Sequence, residues 1–481
     1  MISFYNTLSR TKEPFVPQVE GFVGMYVCGP TVYGDAHLGH AKSYVFFDVL
    51  NRYLRYRGYK VRYVQNITDV GHLTDDGDAG EDKLLKQARL ERLEPMEIAE
   101  KYTNAYFRDM DALGILRPDI TPRASGHIPE QIAMIEELIA KGHAYESEGN
   151  VYFDVNSDPD YGKLSGRQID ASVAGTRVDV AGGKRQPADF ALWKKAEPEH
   201  IMKWPSPWGV GYPGWHIECS AMSNRYLGKT FDIHGGGLEN QFPHHECEIA
   251  QSECAHGEPF VRYWLHNNMV TLNGQKMGKS LGNAISLHQF YHGDHPLLTR
   301  AWKPEVIRFF LLQSHYRSTT DFSEPALEAA ETGLANLHEM LALVVNATAG
   351  ADAPLDVEAF RGDFLACMDD DINTAQAIAV LYEYLKPWRA RMLKGEKPSN
   401  LEEARTVLRE AMDVILGIWP RGEAGDQSEV VSGLMELILK LRAGARADKN
   451  WPVADQIRDA LKALDITVED SPQGPVYKLP K

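Results

Sequence analysis

Two short stretches carry residue types suited to gripping a triphosphate. His37-Leu38-Gly39-His40 follows a strand-like run ending at Cys28 and the turn Gly29-Pro30-Thr31, and it opens a helix-like run to about Tyr56. A helix N-terminus offers N–H groups and a positive dipole end to phosphates. Gly39, lacking a Cβ, lets a flat base approach the backbone. His37 and His40, three apart on one face, can donate to phosphate oxygens that gain charge during reaction. In the second half of the chain, Lys276-Met277-Gly278-Lys279-Ser280 puts two lysines on a glycine-containing loop that could clamp a transferring triphosphate from the far side. Alone, the first is also what two satisfied core histidines would show, and the second what a solvated turn would show. Together, in this order, they favour a nucleotide site.

A second group is suited to a metal ion. Cys28 ends the first strand, and Cys219 follows Pro213-Gly-Trp215-His-Ile-Glu218. His244 and Glu248 share one helix face behind Pro243, a residue that starts helices. Thiolates with imidazole and carboxylate favour Zn²⁺ over Mg²⁺. There is no Cys-x-x-Cys spacing, so the two cysteines also fit as small buried hydrophobes. Cys247, between two of these positions, reads as non-ligating.

These residues need elements to position them. Gly24–Cys28, the helix after His37 and Val61–Ile67 form a strand–helix–strand unit, which predicts a parallel α/β sheet. His72–Asp82, rich in acids with two glycines, reads as an exposed loop. The stretch 84–145 is mostly helical, and 146–215 mixes short strands with Gly and Pro. From Pro304 onward strand signals nearly vanish, and apolar periodicity over 304–345, 357–418 and 430–445 predicts a helical bundle, with Pro420–Asp426 as a linker.

The chain has 481 residues, 43% of them hydrophobic, with a net charge of −16. That balance excludes a protein coating nucleic acid through a global basic field. From Ser428 onward acids and bases balance, so this tail is compatible with touching a polyanion locally. No apolar run is long enough to span a membrane, and the start has no signal architecture, so a cytoplasmic protein is expected. Five cysteines, an odd and sparse set, read as reduced thiols.

The histidine and lysine stretches resemble the HIGH and KMSKS signatures of class I aminoacyl-tRNA synthetases, with Gly278 in place of the usual middle serine. Met25–Tyr33, Asn66–His72, Pro213–Met222, Asp232–Gly237 and Met368–Thr374 resemble cysteinyl-tRNA synthetases more narrowly. The resemblance implies an α/β Rossmann-like parallel-sheet catalytic domain (1–120 and 210–303) interrupted by a connective insertion (121–209). A helical bundle (304–422) and a small C-terminal α+β anticodon-reading piece (428–481) are expected to follow. It implies that His37, His40, Lys276 and Lys279 are catalytic, and that Gly39, His37, His40, Lys279 and Glu239 bind ATP with its Mg²⁺. It further implies that Gly29, Thr68, Trp215 and His234 enclose L-cysteine, and that one Zn²⁺ per chain is held by Cys28, Cys219, His244 and Glu248. A monomer is expected. Many members carry an aspartate where this chain has Glu239, which adds a methylene.

The chemistry of such a site is coherent. Pocket shape separates substrates differing by about one heavy atom by only ~1–3 kcal/mol, whereas a zinc–thiolate bond separates sulfur from oxygen directly. In the tail, aromatic and charged groups cluster, and a tRNA(Cys) anticodon begins with G. Arg446, Trp451, Asp455 and Asp470 are therefore candidates to stack on or accept from exposed bases, although a solvated helix with i,i+4 charge pairs gives the same pattern. The alternatives are a cysteine ligase with a small amine acceptor, as in mycothiol synthesis, and a non-catalytic RNA-binding protein derived from a synthetase. A zinc hydrolase is a further class, disfavoured because His244-His-Glu-Cys-Glu is not HExxH.

Overall fold

The computed structural model describes residues 1–73, 81–167, 183–198, 200–276, 283–420, 426–448, 450–463, 466–471 and 474–478. The chain divides into two units, Met1–Trp419 and Pro420–Lys481.

The first unit is organised around four parallel strands, β1 (Phe22–Val27), β2 (Lys60–Gln65), β3 (Phe231–Gly237) and β4 (Val261–Asn267), in the order β4-β3-β1-β2. Parallel strands covered on both faces need apolar residues on both, and β1 shows how one strand supplies them. Val23, Met25 and Val27 join the cluster of helix α1 (Leu38–Tyr56), with Val45, Phe47 and Leu50, whereas Tyr26 joins Phe231 and Trp264 on the other face. Registers Val27↔Gln65, Val27↔Gly235 and Gly237↔Asn267 bring the carboxyl ends of the strands to one edge. That is where ligands bind in open α/β sheets.

Helix α1 stops at Gly58, whose φ of +89° suits glycine. Its middle is bolted in place by buried Asp48, which accepts from Arg308 Nη2 at 2.6 Å and Arg52 Nε at 2.8 Å. Fully buried Arg308 also donates to the carbonyls of Leu416 (2.8 Å) and Leu113 (3.2 Å). It thus ties α1 to the helical region, whose helices are Pro304–Leu312, Glu324–Asn346, Val357–Asp369, Thr374–Leu393 and Leu401–Arg409.

A five-stranded antiparallel sheet runs from Ala144–Ser147 to Gly209–Pro213. Its last strand leads through Gly214 into α2 (Trp215–Leu227), which packs against α3 (His244–His256). Between 304 and 419, among the described residues, one strand departs from the expected helical bundle: Thr320–Phe322 pairs in parallel with Val270–Leu272. Three residues give no periodicity to read, and the partner lies far away in sequence. The same Val270–Leu272 segment pairs antiparallel with Gln275–Lys276.

The second unit holds helices Asp426–Ala447 and Trp451–Ala463 and a hairpin of Thr467–Ser471 with Gly474–Lys478. Met435, Leu439 and Leu461 form its core. Among the described residues, no helix is long and apolar enough to cross a membrane.

Candidate active site

At the carboxyl edge of the sheet, a cleft is lined by the turn after β1, the start of α1, Asn66 and Thr68 after β2, and Trp215, Glu239 and His244. The histidines of α1 do more than present a face. His37 is the N-cap: its Nδ1 accepts from Gly39 N–H at 3.1 Å, while His40 Nδ1 accepts from His37 N–H at 3.1 Å. This reciprocal capping box consumes N–H groups expected to be open to phosphate. It also fixes the chemistry of both rings. With Nδ1 accepting, each neutral imidazole carries its hydrogen on Nε2. The ring centroids lie 4.0 Å apart. A Cβ on Gly39 would come within 2.9 Å of the His37 ring, so Gly39 admits that side chain as well as leaving room for a base.

Gly29 is dictated by a crossing of backbones: a Cβ there would sit 1.5 Å from the Asn66 carbonyl oxygen. Its N–H donates to Asn66 Oδ1 at 2.8 Å. This crossing lies at the mouth of the sheet, where Cys28 and Thr68 both line the cleft.

The structure brings Cys28, Cys219, His244 and Glu248 together, all buried, with one donor atom from each within 4.8 Å of the others. Tetrahedral zinc, with sulfur at ~2.3 Å and nitrogen or oxygen at ~2.0–2.1 Å, needs donor–donor edges of roughly 3.3–3.8 Å. Cys28 Sγ lies 3.9 Å from Cys219 Sγ and 3.7 Å from Glu248 Oε1, and His244 Nε2 lies 3.2 Å from Glu248 Oε1. The donor set therefore fits the ion in type and in spacing. Burial pushes both thiols up and the His244 imidazole down, so the imidazole is neutral, as a ligand requires. Outer groups orient the donors, as is usual around metals. His216 Nδ1 lies 3.0 Å from His244 Nδ1, leaving Nε2 to face the group, and His234 Nε2 lies 2.8 Å from Glu248 Oε2. His245, whose Nε2 is 3.2 Å from Cys28 Sγ, completes an overlapping group with Cys28, His234 and Glu248. Cys247 belongs to neither group.

Around this centre, Trp215 stacks on His244 (centroids 4.3 Å apart, 26° between planes), and Thr68 Oγ1 donates to Glu218 Oε2 at 3.0 Å. His234 sits behind Glu248 and is not among the residues lining the cleft. Glu239 lines the cleft from a short turn, Leu238–Gln241. Lys276 ends the strand opposite Thr271; Lys279 lies outside the described residues. In the second unit, Arg446 is exposed near a helix end, and Trp451 (55% exposed) and Asp455 share a helix face, Asp455 pairing with Arg458 at 3.1 Å. Asp470 falls in the hairpin, in the strand Thr467–Ser471.

Several residues in or behind the cleft were not singled out by the sequence. Glu218 is fully buried, and burial holds its carboxyl well above the usual range. The expected exposed loop at 72–82 is, at its ends, the opposite: His72 is 7% and Asp82 3% exposed, and both are hydrogen-bonded into the site. Acidic composition hid this, because it reports the middle of the segment, of which 74–80 lie outside the described residues.

Residues 14–332 match the tRNA synthetases class I (C) catalytic domain, 363–419 the DALR domain, and 433–475 the cysteinyl-tRNA ligase anticodon binding domain. The cysteine–tRNA ligase of Chlorobaculum tepidum is 54% identical over 492 aligned residues, covering 100% of this chain and 99% of that one. That of Porphyromonas gingivalis is 52% identical, covering 99% of each. In fold, the chain resembles the leucyl-tRNA synthetase of Agrobacterium radiobacter (TM-score 0.60, 13% identity, covering 84% of this chain and 85% of that one). It likewise resembles the methionyl-tRNA synthetase of Mycobacterium tuberculosis (TM-score 0.56, 16% identity, 83% and 92%). With a catalytic-domain match over most of its length and relatives aligned from end to end, this chain belongs to the cysteine–tRNA ligase family of class I synthetases.

Proposed function

We propose that this chain activates L-cysteine with Mg²⁺-bound ATP and transfers it to the terminal ribose of tRNA(Cys), one zinc ion per chain recognising the thiol. The observation that carries this reading is the buried group of two thiols, an imidazole and a carboxylate, opening on the same cleft as the capped histidine pair. When bound at Cys28, Cys219, His244 and Glu248, zinc supplies a soft Lewis-acidic position that a thiolate fills better than a hydroxyl.

The cysteine carboxylate attacks the α-phosphorus, the bond to pyrophosphate breaks, and the chain's part is positioning and charge stabilisation. The Nε2–H groups of His37 and His40 donate to the phosphates, and Lys276 and Lys279 balance the leaving charge from the second signature. Gly39 borders the base and Glu239 accepts from ribose hydroxyls. Gly29, Thr68 and Trp215 enclose the amino acid, with His234 bracing Glu248 behind them. The tRNA(Cys) anticodon is read by the second unit through Arg446, Trp451, Asp455 and Asp470, within the stretch that matches an anticodon-binding domain. That stretch favours tRNA over a small amine as acceptor. The domain limits set out above, a monomeric state and a cytoplasmic location complete the proposal.

Metal analysis with cysteine- and serine-dependent ATP–pyrophosphate exchange tests it. One zinc per chain and exchange with cysteine alone are expected; metal-free active protein, or equal use of serine, would overturn it.

A further inference from the structure

Two cleft residues, His72 and Lys83, have no part in the mechanism above, yet they form the outer end of a stack that reaches the metal donors. His72 stacks on Trp215 with centroids 3.9 Å apart and 11° between planes, and Trp215 stacks in turn on His244. Lys83 Nζ lies 2.8 Å from His72 Nε2, and His72 Nδ1 lies 2.6 Å from Thr31 Oγ1. Direction follows from the donors. An ammonium group only donates, so His72 Nε2 accepts; the neutral ring then carries its hydrogen on Nδ1 and donates it to Thr31. The Thr31 hydroxyl keeps its own hydrogen for an acceptor, and Thr31 lines the cleft. The chain is held at its base, because Lys83 N–H donates to the His72 carbonyl at 2.9 Å and Asp82 accepts from Gly71 N–H at 3.1 Å.

We propose that His72 is a positioning residue for cysteine recognition: oriented by Lys83 and Thr31, it clamps Trp215 against His244 and sets the wall that closes over the amino acid. This rests on the cysteine-and-zinc reading above. Two separable components follow, a ring stack and a directed hydrogen-bond chain.

The test uses the full-length zinc-loaded protein and four variants, His72→Ala, His72→Phe, His72→Gln and Lys83→Met. The readouts are cysteine and ATP KM and kcat in pyrophosphate exchange, zinc retention against a chelator, and tryptophan emission with and without cysteine, with Trp215→Phe as the control that isolates the contribution of Trp215. Losing one aromatic stack corresponds to a roughly three- to tenfold effect. His72→Ala is therefore expected to raise the cysteine KM by about that factor, with ATP KM unmoved, faster zinc loss and an altered emission response. His72→Phe restores zinc retention and emission but not the cysteine KM, and Lys83→Met behaves like it; His72→Gln does neither fully. A cysteine KM and emission response in His72→Ala equal to the unsubstituted protein's would overturn the proposal. So would identical behaviour of His72→Phe and His72→Ala. If the unsubstituted protein itself fails to bind zinc or to exchange with cysteine, the parent reading falls and takes this one with it.

Discussion

His37 has two separable tasks in this geometry, and one substitution divides them. Its Nδ1 caps α1 through the Gly39 N–H, while its Nε2–H is the group proposed to meet the phosphates. Asparagine is among the best N-cap residues, with an amide oxygen that can take the place of Nδ1, but it has nothing at the position of Nε2. His37→Asn should therefore leave stability within about 0.5 kcal/mol of the unsubstituted protein while lowering kcat for cysteine activation by roughly 10²–10³, the usual effect of deleting one preorganised donor. His37→Ala should lose the same rate and, in addition, about 1 kcal/mol of stability through the missing cap. Chemical denaturation of the two variants and steady-state pyrophosphate exchange at saturating ATP give both numbers. Near-normal kcat in His37→Asn would refute the phosphate-donor role, and equal stability of the two variants would refute the cap. The same logic applies to His40→Gln, because glutamine at N3 can close the capping box.

Stripping the metal should abolish cysteine-dependent exchange while ATP binding persists, and Cys219→Ser should retain well under one zinc per chain by elemental analysis; turnover with cysteine in the metal-free protein would contradict the first, and a full zinc complement in the variant the second. Asp48→Leu leaves the fully buried Arg308 guanidinium without its carboxylate and should cost ~3–5 kcal/mol in denaturation. Arg308→Met should cost less, because Asp48 keeps Arg52 and the Leu116 N–H. Burial pulls the Lys42 ammonium from 10.5 to about 8. The folded chain thus releases this proton before the unfolded one does, so the stability difference between the unsubstituted protein and Lys42→Met should shift in favour of the former as pH rises from 8 towards 10; denaturation midpoints across that range give the sign. Trp451→Ala should weaken tRNA(Cys) binding by ~1–3 kcal/mol if a base stacks there, measured by filter binding.

What the sequence made legible was local or periodic. The strand–helix–strand unit, the helical character beyond 304 and the helix face shared by His244 and Glu248 all follow from spacing alone, and all appear in the structure. The role of Nδ1 in each signature histidine was hidden, because a capping box of two histidines departs from the usual Ser/Thr-x-x-Glu pattern. Contacts between distant segments were also hidden. Asp48 and Arg308 look like ordinary surface charges on their own helices until the fold buries them against each other. His72 disappeared into an acidic run whose ends are anchored by Asp82 and Lys83. Thr320–Phe322 is too short to announce itself and depends wholly on its partner.

That short strand alters how the two signature stretches are mounted. His37 and His40 stand on α1, packed directly on the parallel sheet, whereas Lys276 ends a hairpin that leaves this sheet after Asn267 and is laddered to Thr320–Phe322 instead. The two mounts meet at Lys42 of α1, whose ammonium donates to the carbonyls of Met269 and Ser318 beside that ladder, so a shift of the hairpin would be felt along the helix that carries the histidines.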